Sequence, residues 1–195
     1  MTLYHCSPTP GLRVLRPSVT KYFGKPEQVC LTASLPMALM YGIKHFEYAY
    51  GCTRDGRIYC EEYFPNALEE LYRGKEASLY TCAWRADMET TPIPNEYVTP
   101  GEVPVEAELP VPDVCGALLE QERLGALKII RWDEMGEKRR RWVIRAEADT
   151  IREKGLLARP GGPFARYLRE KYPESWALAV REATEEQAER KGGTP

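Results

Sequence analysis

Gln28-Val29-Cys30-Leu31-Thr32-Ala33-Ser34-Leu35-Pro36-Met37-Ala38-Leu39-Met40-Tyr41 is the stretch whose reading decides the fold. Val29 to Thr32 is apolar and reads as a strand that runs straight into a helix. Ser34 is suited to cap that helix, because its side-chain oxygen can accept from an N–H in the first turn, and a proline is tolerated just inside the start. Leu35 to Ile43 then offers almost no polar face, which predicts a buried helix. Upstream, Leu3-Tyr4-His5-Cys6-Ser7-Pro8 reads as a short strand stopped by a Ser-Pro turn and carrying one of only two histidines. These two pieces gather His5, Thr32, Ser34 and Tyr41 where two strands meet a helix.

Further out, Arg13 to Pro26 is a polar connection containing Lys21-Tyr22-Phe23-Gly24-Lys25. Phe46–Tyr50 and Arg57–Tyr63 alternate polar and aromatic residues around Asp55-Gly56, a hairpin signal. Asn66 with Glu69 predicts a capping box for a short helix through Tyr72, ended by Gly74. Ser78 to Trp84 reads as a strand. Met88 to Pro112 carries six prolines and predicts only short strands, around Tyr97-Val98 and Val103–Glu108. Asp113 can cap a helix from Val114 to Arg123, with Gly125 beyond its end, and Ala126 to Trp132 is the last apolar strand. Glu134 to Lys154 is charge-rich and helical, with Trp142, Ala146 and Ile151 as expected buried positions. Pro163–Tyr172 and Trp176–Arg190 predict two more helices. The expectation is an α+β body over 1–133 and a helical C-terminal segment over 134–195 packed on it.

The 195 residues suit one domain with an appendage, and 43% hydrophobic with 29% charged residues is ordinary globular composition. A net charge of −2 gives no general attraction to nucleic acid or to an anionic membrane. The N-terminus is no signal peptide and no apolar run approaches 18 residues, so the expected compartment is the cytoplasm, with no membrane partner. Cys6, Cys30, Cys52, Cys60, Cys82 and Cys115 form no C-x-x-C pair and read as reduced, largely core thiols. No metal site is expected. Dinucleotide-fold, phosphate-loop and zincin motifs are all missing. His45 reads as a helix-end cation. Lys138-Arg139-Arg140-Arg141 is a basic cluster that could touch phosphate groups or serve as a solvated face.

"LYHCSP" followed by "VCLTASLPMALMY" resembles the His and Tyr motifs of the ADP-ribosyltransferase fold, in the branch with a His–Tyr–Glu triad. The resemblance covers the first forty residues well and the next ninety loosely. It implies a split, mostly antiparallel β-core, NAD as substrate with no metal, and transfer of ADP-ribose to an acceptor that the sequence does not name. It also implies that His5 bonds the adenosine-side ribose and that Tyr41 stacks on the nicotinamide, a flat cation suited to an aromatic face. Thr32 and Ser34 would orient the cofactor. Cys6 stands where the family has a glycine that approaches NAD closely, and Cys30 where a stacking aromatic is common. The family's glutamate, which stabilises the oxocarbenium-like state, corresponds best to Glu96 in Asn95-Glu96-Tyr97-Val98, with Glu106 and Glu108 as substitutes.

Ordinary readings stand beside these. A glutamate in a Pro-rich loop is commonly a solvated charge, and a tyrosine on an apolar helix is commonly core. Three functional readings follow: an NAD-consuming transferase, a catalytically silent relative that binds a nucleotide or protein, and a structural α+β domain.

Overall fold

The computed structural model describes residues 1–18, 27–44, 49–53 and 56–192, with side chains described through 189. The Lys21–Lys25 stretch, His45, Phe46 and Asp55 of the expected hairpin turn, and the last three residues lie outside them. The chain forms two compact units. One comprises Met1–Glu61 with Asn66–Ile130, and the other Glu62–Pro65 with Arg131–Pro195.

The first unit is α+β with mostly antiparallel strands. Its elements in order are β1 (Thr2–Ser7), β2 (Val14–Leu15), β3 (Val29–Thr32), α1 (Leu35–Tyr41), β4 (Tyr50–Cys52), β5 (Ile58–Glu61), α2 (Ala67–Tyr72) and β6 (Ala77–Ala83). They continue with β7 (Glu89–Thr90), β8 (Glu96–Thr99), β9 (Val103–Pro104), β10 (Ala107–Val111), α3 (Val114–Arg123) and β11 (Leu127–Ile130). Six strands form one sheet in the order β10-β6-β1-β3-β8-β7, three form a second, β11-β5-β4, and β2 pairs with β9. The β-structure is therefore split. Among the described residues only β11 and β5 run parallel, with Ile130 opposite Glu61.

Side chains alternate across a strand, so each face of the six-stranded sheet collects its own core. One face sends Tyr4, Cys6 and Leu79 toward Met37, Leu39 and Met40 of α1, with Tyr72, Val114 and Leu118. The other gathers Leu3, Leu31, Tyr80 and Cys82 with Leu15, Met88 and Val103. β9 falls within the expected Val103–Glu108 strand, but its partner β2 was not expected, because a two-residue strand in a polar connection carries no periodicity. Two helix starts differ from expectation. Asn66 adopts a left-handed backbone (φ 58°) and makes no side-chain capping bond. Asp113 stands at the N-cap of α3 but makes no side-chain capping bond. Both helices form regardless, since their apolar faces enter the core.

The second unit is helical: a 3-10 turn at Trp132–Glu134, α4 (Glu137–Glu153), a 3-10 turn at Leu156–Ala158, α5 (Pro163–Lys171) and α6 (Pro173–Gly192). Val143, Ala148, Ile151, Leu168 and Ala179 are buried within it. Phe64 is buried as well, meeting Tyr167 and Tyr172 edge-on. Trp142, expected inside, is 50% exposed. Its neighbour Val143 takes the inward position, and adjacent residues on a helix point about 100° apart. Among the described residues, no helix is long and apolar enough to cross a membrane.

Candidate functional site

The sequence motifs meet on three neighbouring strands. β1 is laddered to β6 along its whole length, yet it pairs with β3 at one position, Tyr4 opposite Thr32. β3 pairs with β8 at four, including Thr32 opposite Glu96. Tyr4, Thr32 and Glu96 thus form one cross-strand row on the α1 face.

Glu96 is buried at the start of β8. Its Oε2 accepts from Thr91 Oγ1 at 2.6 Å. The same Thr91 oxygen accepts from the Ile93 N–H at 3.0 Å, and Glu96 N–H donates to Ile93 O, closing a tight turn. Asn95 supplies the left-handed residue of that turn (φ 64°) and accepts the Ala33 N–H at 2.9 Å, joining it to the β3–α1 junction. Burial pushes the Glu96 carboxyl above its ordinary range, against the opposing effect of the Thr91 bond.

The hydroxyls at the junction build it. Ser34 Oγ accepts the Met37 N–H and caps α1 as expected. Thr32 Oγ1 accepts the Ser34 N–H at 3.0 Å and lies 3.4 Å from Met37 Sδ. Tyr41 closes α1, its phenol bonded to that of Tyr50 on β4 and the two rings edge-on, 5.6 Å apart.

Cys6 is turned into the core. A Cβ built on Gly42 would stand 2.4 Å from its sulfur, so a glycine ends α1 where the thiol needs room. The Cys6 side chain therefore fills core volume next to Gly42.

His5 Nδ1 lies 3.0 Å from the Cys30 carbonyl. A carbonyl can only accept, so Nδ1 carries the proton and Nε2 is left as an acceptor. Burial lowers the His5 pKa, and the bond to Cys30 opposes that shift. Alternation along β1 puts His5 on the face of Leu3 and Tyr80, opposite the row of Tyr4, Thr32 and Glu96.

The substitute glutamates lie on the far side of β1. Glu106 is exposed just before β10. Glu108, opposite Tyr80, accepts the Gly11 N–H and the Tyr80 hydroxyl. The Gly11 bond first, then Ser78 and Tyr80 with the charge of Arg13, hold its carboxyl below the ordinary range. The one Tyr80 hydroxyl proton is shared between this carboxylate and Thr9 O, 2.6 Å away, so the pair pins the loop after β1 to the sheet.

A cavity of about 320 Å³ lies between Tyr50, Cys52 and Ile58 on β4–β5 and the Pro92–Pro94 turn that leads to Glu96. Tyr50 and Thr91 were missed in the sequence. The signal for Thr91 is the pair of prolines fixing Thr91-Pro92-Ile93-Pro94 ahead of the glutamate, whereas Tyr50 carries no local signal. Among the described residues, no group of three His, Cys, Asp or Glu side chains could hold a metal ion. Comparison of the chain with known proteins finds no matching family model, no matching curated protein and no matching solved structure.

Proposed function

We propose that the chain has an ADP-ribosyltransferase-type fold and transfers ADP-ribose from NAD to an acceptor, with Glu96 as its essential carboxylate. The register of Thr32 against Glu96 carries this reading, because it joins the strand of the Tyr motif to the glutamate strand, with the His-motif strand β1 as the next neighbour. As the bond from ribose C1′ to the nicotinamide nitrogen breaks, nicotinamide leaves with the electron pair and positive charge spreads over C1′ and the ring oxygen. A preorganised carboxylate acts on that charge, and Thr91 holds one oxygen of Glu96 in place. Tyr50, with the Tyr41 ring packed edge-on against it, lines a cavity large enough for a nicotinamide-sized ring. The resemblance gives His5 the ribose hydroxyl, and with Nδ1 fixed by Cys30 O its Nε2 is left as an acceptor, although β1 sets the ring on the face opposite Glu96. Glu106 and Glu108 are not favoured, since neither lies beside β3.

A second reading, a non-catalytic module for a nucleotide or a protein, is favoured by two observations. Cys6 replaces the family glycine, and alternation turns His5 away from the Glu96 face. Incubation with NAD separates the two readings. Release of nicotinamide supports the transferase. A rise in Tm with NAD or another nucleotide, without release, supports the module, because a ligand of the native state must stabilise it. Neither release nor a shift removes NAD from both readings.

We also infer a reducing compartment, the cytoplasm. None of the six cysteines forms a disulfide, and burial pushes the thiols of Cys6, Cys30 and Cys82 up to about 11, so these three stay protonated at neutral pH.

A further inference from the structure

The two units divide the charge unevenly. The first carries 12 Lys and Arg against 16 Asp and Glu, and the second carries 15 against 13. The excess cations of the second unit concentrate at the start of α4, where Lys138, Arg139, Arg140 and Arg141 follow one another. Helix dipoles disfavour cations in the first turn, so helix stability does not account for this placement. Arg140 turns back to donate to Met135 O at 2.9 Å. Lys138 is exposed and has no ion-pair partner among the described residues. Arg141 has only a 3.6 Å contact with Glu137, both side chains being more than 70% exposed, an arrangement worth little in water.

Aromatic surface lies next to these charges. The Arg139 guanidinium sits 3.9 Å from the centre of the Trp142 ring. It also donates to the Tyr63 hydroxyl at 3.1 Å. Tyr63 meets Trp142 edge-on at 6.4 Å, and half of Trp142 remains open. Lys138, Arg141 and Trp142 are three and four residues apart, so they share one face of α4. A fixed guanidinium over an indole, with an unpaired Lys138 and a weakly paired Arg141 beside it, matches a ligand with phosphates on one side and flat rings on the other.

We propose that this face of the second unit binds single-stranded nucleic acid, a base stacking on Trp142 and the backbone phosphates meeting Lys138 and Arg141. The overall charge of −2 does not oppose this, because the acidic excess belongs to the first unit. The proposal is independent of the NAD reading.

The test is fluorescence anisotropy of a labelled oligothymidylate and of a duplex of equal length, titrated with the full chain over a series of salt concentrations. The single strand should bind more tightly than the duplex. Trp142→Ala should weaken single-strand binding about tenfold. Lys138→Gln with Arg141→Gln, both at exposed positions, should weaken it further and flatten the log–log salt slope by about 1.4. Arg159→Gln, which removes a cation elsewhere in the unit, should change neither. Absence of binding at low salt, equal affinity for duplex and single strand, or an Arg159→Gln effect as large as the double change would each overturn the proposal. So would retention on anionic vesicles with no oligonucleotide binding.

Discussion

Glu96 and Glu108 stand toward opposite ends of the same six-stranded sheet, and the sheet treats them oppositely. Glu108 receives Gly11 N–H and the Tyr80 hydroxyl, and its carboxyl is held low. Glu96 is more deeply buried, receives Thr91 Oγ1, and its carboxyl is pushed up by burial. A carboxylate that serves structure is surrounded by donors, because buried polar groups otherwise cost stability. One kept short of donors is poorly explained by stability and well suited to chemistry.

The largest effect that would break this comparison is kinetic. If nicotinamide release is observed, Glu96→Gln should lower its rate by on the order of a hundredfold or more. Glu108→Gln should leave the rate near wild type. The reverse outcome would transfer the catalytic role to the far end of the sheet.

A packing change on the Glu96 face should come next. Gly42→Ala places a methyl 2.4 Å from Cys6 Sγ and should destabilise the protein by about 1–3 kcal/mol, read by denaturant unfolding. Adding Cys6→Gly should recover part of that loss, and no recovery would mean the contact does not set the close approach.

Smaller again is the pH dependence of stability, where the two glutamates should differ in sign. The folded pKa of Glu96 lies above its unfolded value, so the stability it contributes is present at low pH and lost as pH rises through the folded pKa. Glu96→Gln should therefore raise Tm near neutral pH, with the gain closing on acidification. Glu108, held low, contributes stability above its unfolded pKa that is lost as pH falls through the folded one. Glu108→Gln should lower Tm near neutral pH, and that difference should also close in acid. Equal signs for the two variants would erase the contrast.

The finest probe is Cys30. Burial is the main cause of its raised pKa and the charge of Glu96 the second. Glu96→Gln should bring the pH midpoint of Cys30 alkylation, followed by mass spectrometry, down toward the ordinary thiol value. An unmoved midpoint would mean the two groups do not sense each other.

What the sequence made legible here was local chemistry. Ser34 caps α1, Gly74 and Gly125 take positive φ beyond their helices, and Val29–Thr32 forms a strand because each depends on neighbours within a few residues. Glu96 was singled out through a resemblance of motifs, and its position beside Thr32 follows from a pairing of β3 with β8 that no local pattern encodes. Thr91 and Tyr50 matter only once that pairing and the second sheet exist. Trp142 was misread because a tryptophan on a helix suggests burial, while the turn of the helix hands the inward place to Val143.

The in-register, parallel pairing of β5 with β11 has a consequence for how this chain can be cut or inherited. It sets Glu61 and Ile130, the residues after which the chain leaves the first unit, directly opposite each other. Glu62–Pro65 then belongs to the second unit, where the buried Phe64 packs against Tyr167 and Tyr172. The helical unit is therefore threaded by two separate segments of one gene. Trimming the C-terminus alone would strand an aromatic residue in the middle of the chain, so a shortened descendant would need a compensating change at 62–65 to stay folded.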